Sequence, residues 1–365
     1  MAGNDSFRSK LKAVSIDLLY EGMVLEEDVY DADATRLIIT HGTTLDADTI
    51  RRIRALNSNR STIFVSGGTY KTLIANRPPI RVTSRSEMEE TTGYAAVKDR
   101  TFELLVGIAR DKVVQQEALY SISAELSSCL EITSPSIIMS LINALAPVDE
   151  YLQRHCTNVS LLNGLISRWL GLPKSEVDKL VLIGLLHDCG KALIPPQVLN
   201  APRKLTVVEF EVVKMHAVYT YKLLTEFPEP LRRSTSLHHE RINGTGYPDR
   251  LSGDNIPPEA RITAVSDIYD AMVSQRAYKA PRSPFSTMAI LADLKNRDLD
   301  AGLVDVFIRN MPMELIDKPV KLSDGTIGVV RTLDPDDLEH PVIEVNGSVF
   351  KSGEKLFCTS MHFED

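Results

Sequence analysis

The sequence predicts a mainly α protein: a long helical block carries the chemistry, a small α/β domain precedes it and a short β appendage follows. Three observations predict this. Apolar residues recur at helical spacing through most of residues 97–315. Five of the eight histidines fall between positions 155 and 239, inside that block. Residues 316–365 switch to short β-rich runs joined by Asp324-Gly325 and Asn346-Gly347, which are hairpin signals.

A chain of 365 residues is expected to divide into two or three units. With 43% hydrophobic and 25% charged residues it has enough apolar material for a sizeable core and an ordinary soluble balance. A net charge of -8 argues against a long nucleic acid held by a general electrostatic footprint, but leaves room for a small anionic ligand held by local cations and metal. No uninterrupted apolar run of about 18 residues is present, so no membrane span is expected. The opening MAGNDSFRSKLK lacks the apolar core and cleavage site of a signal peptide. Cys129, Cys156, Cys189 and Cys358 are scattered with no CxxC, which fits buried thiols in a reducing cytoplasm.

Residues 1–67 read as a small α/β accessory domain, with a helix from about Asp46 to Leu56 capped by Thr44 or Asp46 and a strand Thr62–Val65. His41, alone in a turn, reads as structural or solvent-exposed. Residues 68–96 are polar and broken by Gly67-Gly68 and Pro78-Pro79, and read as a linker. Residues 97–146 read as a helical connector whose apolar face opens with Phe102, Leu105, Val106 and Ile108, a surface for the next domain or for a homodimer. In residues 147–315 the helix carrying His155 stops at Gly171-Leu172-Pro173. Ser175, with Asp178 at capping-box spacing, starts a helix expected to run through VLIGLLHDCGK. Thr206 and Glu209 open the helix of His216, and a helix starting near Arg261 carries Asp267 and Asp270.

The chemistry centres on His187-Asp188, one imidazole and one carboxylate beside each other, a mixture that suits borderline divalent metals. Such a dipeptide alone is a weak signal. Lys191 lies one helical turn on; it is either a helix-end surface lysine or a cation kept near a metal cluster by a phosphate between them. His238 and His239 point in different directions on any regular element, so they can serve two metals, or one metal and an outer contact. His216 sits among apolar residues and, taken alone, reads as a core histidine more readily than as a ligand. Asp267 lies in the apolar AVSDIYDAM, where a carboxylate is costly unless paired or metal-bound, and Asp270 one turn on adds a second. Five imidazoles and two carboxylates exceed one tetrahedral ion and fit two octahedral ones. Asn243-Gly244-Thr245-Gly246-Tyr247-Pro248 makes a tight loop at the rim, where Tyr247 can stack on a base or meet a phosphate. Arg276 and Lys279 read either as a solvated helix end or as a phosphate and guanine clamp.

These motifs, in order, resemble the HD-GYP domain of the HD phosphohydrolase superfamily: His155, LLHDCGK, IPPQVL, KLTVVEFEVVKMH, HHERINGTGYP, LSGDNIPPEARITAVSDIYDAM and Arg276-Ala277-Tyr278-Lys279. The resemblance spans residues 151–310. The GMVLEEDVYD segment and the VKLSDGTIGVV hairpin resemble pieces that accompany such domains. The resemblance implies an all-helical catalytic domain that hydrolyses cyclic di-GMP, with metal ligands at His155, His187, Asp188, His216, His238, His239 and Asp267. It implies substrate contacts at Lys191, Tyr247, Arg276 and Lys279, and divalent iron or manganese, with nickel or zinc as further candidates. Members with three metals carry a Glu four residues before the first His; here that position is Tyr151. Glu150, five back, is about 140° off the ligand direction on a helix, so two ions are expected rather than three. Thr220 stands where the family has Gly.

The expected mechanism uses two ions bridged by Asp188 and a bridging hydroxide that attacks one phosphorus, with Lys191 stabilising the transition state. The expected product is pGpG, with further conversion to GMP less favoured by the missing Glu. The competing reading is a cyclic di-GMP sensor or protein-interaction module on the same fold, without hydrolysis. Another phosphoester substrate is a third, and a zinc peptidase is disfavoured because HExxH is absent from the sequence. Signalling-protein partners are expected, with residues 1–67 as the candidate regulator.

Overall fold

A computed structural model of the chain describes residues 12–16, 19–30, 36–56, 62–66, 85–144, 151–275, 280–295, 297–334, 336–353 and 356–362. Two compact units emerge. One contains Met1–Ser84, Ser283–Ala289 and Ile308–Asp365; the other contains Arg85–Arg282 and Ile290–Phe307.

The first unit is built mainly of β structure. Strands β1 (Lys12–Ser15), β2 (Val24–Leu25) and β5 (Thr62–Ser66) form an antiparallel sheet in the order β1-β5-β2, and β3 (Val29–Tyr30) pairs with β4 (Leu37–Ile39). Helix α1 (Ala47–Leu56) starts where Asp46 Oδ1 accepts the Thr49 N–H at 2.7 Å, so Asp46 is the cap. Val14, Met23, Leu25, Ile53, Ile63 and Val65 form its buried core. The C-terminal residues add a five-stranded antiparallel sheet in the order β10-β6-β7-β8-β9: β6 (Pro319–Leu322), β7 (Ile327–Asp334), β8 (Asp337–Val345), β9 (Ser348–Lys351) and β10 (Cys358–Met361). Asn346 and Gly347, both at positive φ (50° and 77°), make the tight β8–β9 turn their sequence announces. Strand β1 contacts β7, so the two ends of the chain, separate segments in the linear reading, share one unit.

The second unit is helical: α2 (Arg85–Thr91), α3 (Tyr94–Asp111), α4 (Gln116–Ile132), α5 (Pro135–Asn143), α6 (Tyr151–Trp169), α7 (Lys174–Leu186), α8 (Pro196–Leu199), α9 (Val207–Leu223), α10 (Glu229–Ser236) and α11 (Pro258–Val273), followed by α12 (Pro284–Leu294) and α13 (Ala301–Asn310), each of which runs across the unit boundary. Helix α6 is its axis. Leu161, Leu162, Leu165 and Ile166 are fully buried, and so are the polar Thr157, Asn158, Ser160 and Asn163. Those polar groups are bonded across helices: Ser160 Oγ donates to Val181 O at 2.9 Å, and Asn163 Nδ2 to Leu180 O at 3.0 Å. Gly184 lets α7 come this close, since a Cβ there would lie 2.6 Å from Ser160 Cα.

Several sequence expectations change here. The second half of the expected linker is helical at Arg85–Thr91, because Met88 and Tyr94 bury apolar surface that the polar run EMEETTG conceals; its residues 68–84 lie outside the described residues. On α3 the buried face runs through Tyr94, Val97, Thr101, Leu104, Leu105 and Ile108, so Phe102 and Val106, 48% and 47% exposed, lie off it. No capping box forms at Ser175 and Asp178: α7 starts one residue earlier after Pro173, and Asp178 accepts from Lys174 Nζ at 3.2 Å instead. The box at Thr206 and Glu209 does form. Helix α11 begins at Pro258, with proline in its first turn, rather than near Arg261.

Candidate metal centre

All seven residues expected as ligands meet at one buried point in the helical unit. Two groups of donors form, each with its atoms within 4.8 Å of one another: Asp188, His216, His238 and His239 in one, His155, His187 and Asp267 in the other. Asp188 faces both. Its Oδ2 lies 3.3 Å from the Nε2 atoms of His155 and His187, and its Oδ1 lies 3.4 Å from His216 Nε2 and 3.9 Å from His238 Nε2. Asp267 Oδ1 lies 3.3 Å from His155 Nε2, and its Oδ2 lies 3.8 Å from His239 Nδ1.

Local backbone geometry aims these groups. Helix α7 ends at Leu186, earlier than the sequence reading places it, and a 3₁₀ turn spans Cys189–Leu193, with Asp188 between them at φ -105°, ψ 7°. The break swings Asp188 into the centre. Lys191 therefore does not share an α-helical face with His187; its ammonium pairs directly with Asp188 Oδ2. Close packing holds the break: a Cβ on Gly190 would sit 2.1 Å from His216 O. The Thr220 hydroxyl bridges it, accepting from Gly190 N–H at 3.0 Å and donating to His187 O at 3.1 Å. This gives the Thr220 departure a structural role. His238 and His239 follow α10 in a turn rather than on a regular element, which puts both in one donor group, with ring centroids 4.1 Å apart.

The outer nitrogens set the tautomers. His187 Nδ1 donates to Gly184 O at 2.7 Å, His216 Nδ1 to Val213 O at 2.6 Å and His238 Nδ1 to Thr235 O at 3.0 Å. A carbonyl only accepts, so each Nδ1 carries the hydrogen and each Nε2 turns a lone pair inward. His155 uses Asp270 instead, at 2.7 Å, and Asn158 Nδ2 donates to the other Asp270 oxygen at 2.7 Å. Asp270, a second buried carboxylate in the sequence reading, is thus paired; its spacing from Asp267 was the signal for it, and Asn158, three residues after His155, had no comparable signal.

This arrangement suits cations. Asp188 Oδ1 is buried and accepts no hydrogen bond among the described residues. The Nε2 atoms of His155 and His187 face each other at 3.2 Å, and those of His216 and His238 at 3.5 Å. Lone pairs and carboxylates gathered this closely are repulsive unless positive charge lies among them, which a proton on His155 or a metal ion supplies. Burial lowers His238 to about 3 and also drives His216 and His239 down, so these imidazoles are neutral donors. Burial opposes charge on His155 too, but hydrogen bonds to Asp188, Asp267 and Asp270 outweigh it and raise it to about 10. Burial likewise works against ionised Asp188, yet the Lys191 charge and a hydrogen bond from His155 hold it well below the usual carboxylate range. The mixed nitrogen and oxygen set, buried and with its outer nitrogens already bonded, fits borderline divalent metal.

The rim carries Tyr247, whose ring stacks on His239 at 4.6 Å and 28°, with Lys214 Nζ 5.7 Å from its centroid. Glu240, passed over in the sequence, ties this loop down by accepting the N–H groups of Asp249 at 2.7 Å and Leu251 at 3.0 Å. Arg276 and Lys279 lie outside the described residues, as do Glu150 and the side chain of Tyr151.

Comparison with known proteins agrees on the family. A profile described as an HD domain matches residues 139–303. The chain is 32% identical over 267 residues to cyclic di-GMP phosphodiesterase PA4108 of Pseudomonas aeruginosa, covering 71% of this chain and 63% of the relative. It is 40% identical over 155 residues to the cyclic di-GMP phosphodiesterase response regulator RpfG of Xanthomonas campestris pv. campestris, covering 41% of each. It is 32% identical over 182 residues to 3'3'-cGAMP-specific phosphodiesterase 2 of Vibrio cholerae, covering 49% of this chain and 35% of the relative. The chain thus spans between 35% and 63% of the length of these relatives. Bd1817, an HDG"Y"P protein from Bdellovibrio bacteriovorus, shares the fold, with a TM-score of 0.50, 13% identity and coverage of 81% of this chain and 97% of that one. No described helix is long and apolar enough to cross a membrane. The matched profile, these relatives and the gathered His/Asp motifs together make this chain a member of the HD-GYP family.

Proposed function

We propose that this chain is a metal-dependent phosphodiesterase that hydrolyses cyclic di-GMP to pGpG at a two-metal centre ligated by His155, His187, Asp188, His216, His238, His239 and Asp267. One observation carries the reading: Asp188 presents one oxygen to each donor group, the arrangement a carboxylate bridge between two ions requires. When bound, divalent iron or manganese supplies Lewis acidity at the phosphate oxygens and lowers the pKa of water toward about 7, so that hydroxide is available as nucleophile.

The chain's own residues do the rest. The Nδ1 bonds to Gly184, Val213, Thr235 and Asp270 lock the imidazoles before metal arrives, so little reorganisation is left for the transition state. Lys191, beside Asp188, adds positive charge where the phosphoryl oxygens gather negative charge. Tyr247 walls the site next to His239, and Arg276 and Lys279 hold the dinucleotide. The reaction adds one water: a new P–O bond forms, the P–O3′ bond breaks, and the 3′ oxygen leaves with a proton. Relatives named for 3'3'-cGAMP make that nucleotide the second substrate to test.

Anaerobically purified protein loaded with Fe(II) or Mn(II) is expected to contain two ions per chain and to convert cyclic di-GMP to pGpG. Asp188→Ala is expected to abolish turnover while circular dichroism stays unchanged. Turnover by folded, metal-loaded Asp188→Ala would overturn the mechanism. Tight nucleotide binding by wild type without cleavage would favour the sensor reading, and faster cleavage of 3'3'-cGAMP would reassign the substrate.

A further inference from the structure

We infer that Tyr94 and Glu89, which precede the matched HD segment, are positioning residues for the metal centre, acting on the turn of α6 that presents His155. This rests on the reading of His155 as a metal ligand.

A continuous buried hydrogen-bond chain carries it. The Tyr94 hydroxyl donates to Asn158 Oδ1 at 2.5 Å, Asn158 Nδ2 donates to Asp270 Oδ1 at 2.7 Å, and Asp270 Oδ2 accepts from His155 Nδ1 at 2.7 Å. The chain has a direction set by chemistry. The Asp270 carboxylate only accepts, so Asn158 must turn its NH₂ toward it. That leaves the Asn158 carbonyl oxygen facing Tyr94, where only a donor satisfies it. Tyr94, Asn158, Asp270 and His155 are all essentially inaccessible to water, so solvent cannot replace a missing link. The far end of the chain fixes which His155 nitrogen carries the hydrogen, and hence whether Nε2 can bind a metal.

A second anchor comes from the neighbouring residue of α6. Arg154 pairs with Glu89 Oε1 at 3.0 Å, with side chains only 5% and 11% exposed, and its other arm donates to Leu141 O at 3.0 Å. Its guanidinium lies 5.4 Å from the Tyr94 ring centroid. Residues 154 and 158, on either side of His155, are therefore both held by residues 89–94. The end of the segment read in the sequence as a linker thus forms part of the metal centre's support.

The test uses Mn(II) binding to the full-length apoprotein, followed by electron paramagnetic resonance, together with steady-state kinetics on cyclic di-GMP. Tyr94→Phe removes only the hydroxyl. It is expected to weaken Mn(II) binding about 3–10-fold, below the roughly 10–100-fold typical for a ligand's direct partner. It should lower kcat while KM stays within about twofold. The deciding measurement is a cycle with Asp270→Asn: in a relay, the double variant binds Mn(II) within about twofold of Asp270→Asn alone, whereas independent effects multiply. Multiplying effects, or a lowered melting temperature with unchanged Mn(II) affinity, would overturn the inference. His155→Ala separates the two readings: wild-type Mn(II) affinity in that variant refutes the ligand assignment itself.

Discussion

Gly184→Ala places one methyl group at a tight contact between two helices beneath the site. Its Cβ would lie 2.6 Å from Ser160 Cα, 2.7 Å from Ser160 N and 2.9 Å from Val159 C, all backbone atoms that no rotamer change can move. Ordinary contact for such atoms is about 3.5–4.0 Å, so α6 and α7 must separate by roughly 1 Å. Overpacking of this kind costs about 1–3 kcal/mol. The better helix propensity of alanine returns about 1 kcal/mol, leaving a net loss of about 0–2 kcal/mol. The effect on the site is larger. His187 Nδ1 is bonded to the Gly184 carbonyl, and His187 Nε2 lies only 3.2 Å from His155 Nε2 across the same helix pair. A shift near 1 Å in that spacing is expected to cost about 10²-fold in turnover. Gly107→Ala is the control: its Cβ meets nothing within 4 Å, so it should raise stability by about 0.5–1 kcal/mol and leave turnover alone. Metal content by mass spectrometry, kcat on cyclic di-GMP and thermal melting decide the matter. If Gly184→Ala matches Gly107→Ala in all three, close helix packing does not set the ligand spacing.

Two further outcomes follow from individual bonds. Thr220→Ala removes the hydroxyl that serves both Gly190 N–H and His187 O, and should cost about 1–3 kcal/mol in a chemical-denaturation experiment while loosening metal retention on dialysis; unchanged denaturation would refute the bridge. Glu209 is lowered to about 2 by its hydrogen bond to Arg203 and those from Thr206. Its folded pKa is depressed, so its support of α9 is fully present above the ordinary value near 4.5 and is lost as pH falls toward 2. Glu209→Gln should therefore lower the melting temperature at pH 7 and narrow to no difference near pH 2, followed by circular dichroism; a constant difference across that range would refute the assignment.

The comparison between sequence and structure separates along the distance over which each interaction acts. The Thr206–Glu209 box and the Asn346-Gly347 turn were legible because they close within three or four residues, where the backbone geometry follows from the residues alone. The Ser175–Asp178 spacing looked equivalent, but Lys174 competes for Asp178 and Pro173 begins the helix. The apolar face of α3 was misassigned at Phe102 and Val106 because a helix with apolar residues on more than one side does not declare which side meets a neighbour. The joining of the two chain ends in one β-rich unit had no sequence signal, since pairing between distant strands leaves no local period.

The same division holds in the candidate site. The kinds of donor and their order along the chain were set by sequence, because imidazole and carboxylate are donors that a divalent ion of borderline softness accepts. The tertiary structure alone decided that Asp188 stands between the two groups, that His238 and His239 join one of them, and that Lys191 pairs with Asp188. It also decided what orients His155: an aspartate 115 residues away, held by Asn158 and, through it, by Tyr94. Those contacts depend on a break in α7 and on helices brought within reach by Gly184 and Gly190, and a linear pattern cannot encode a distance that only packing creates.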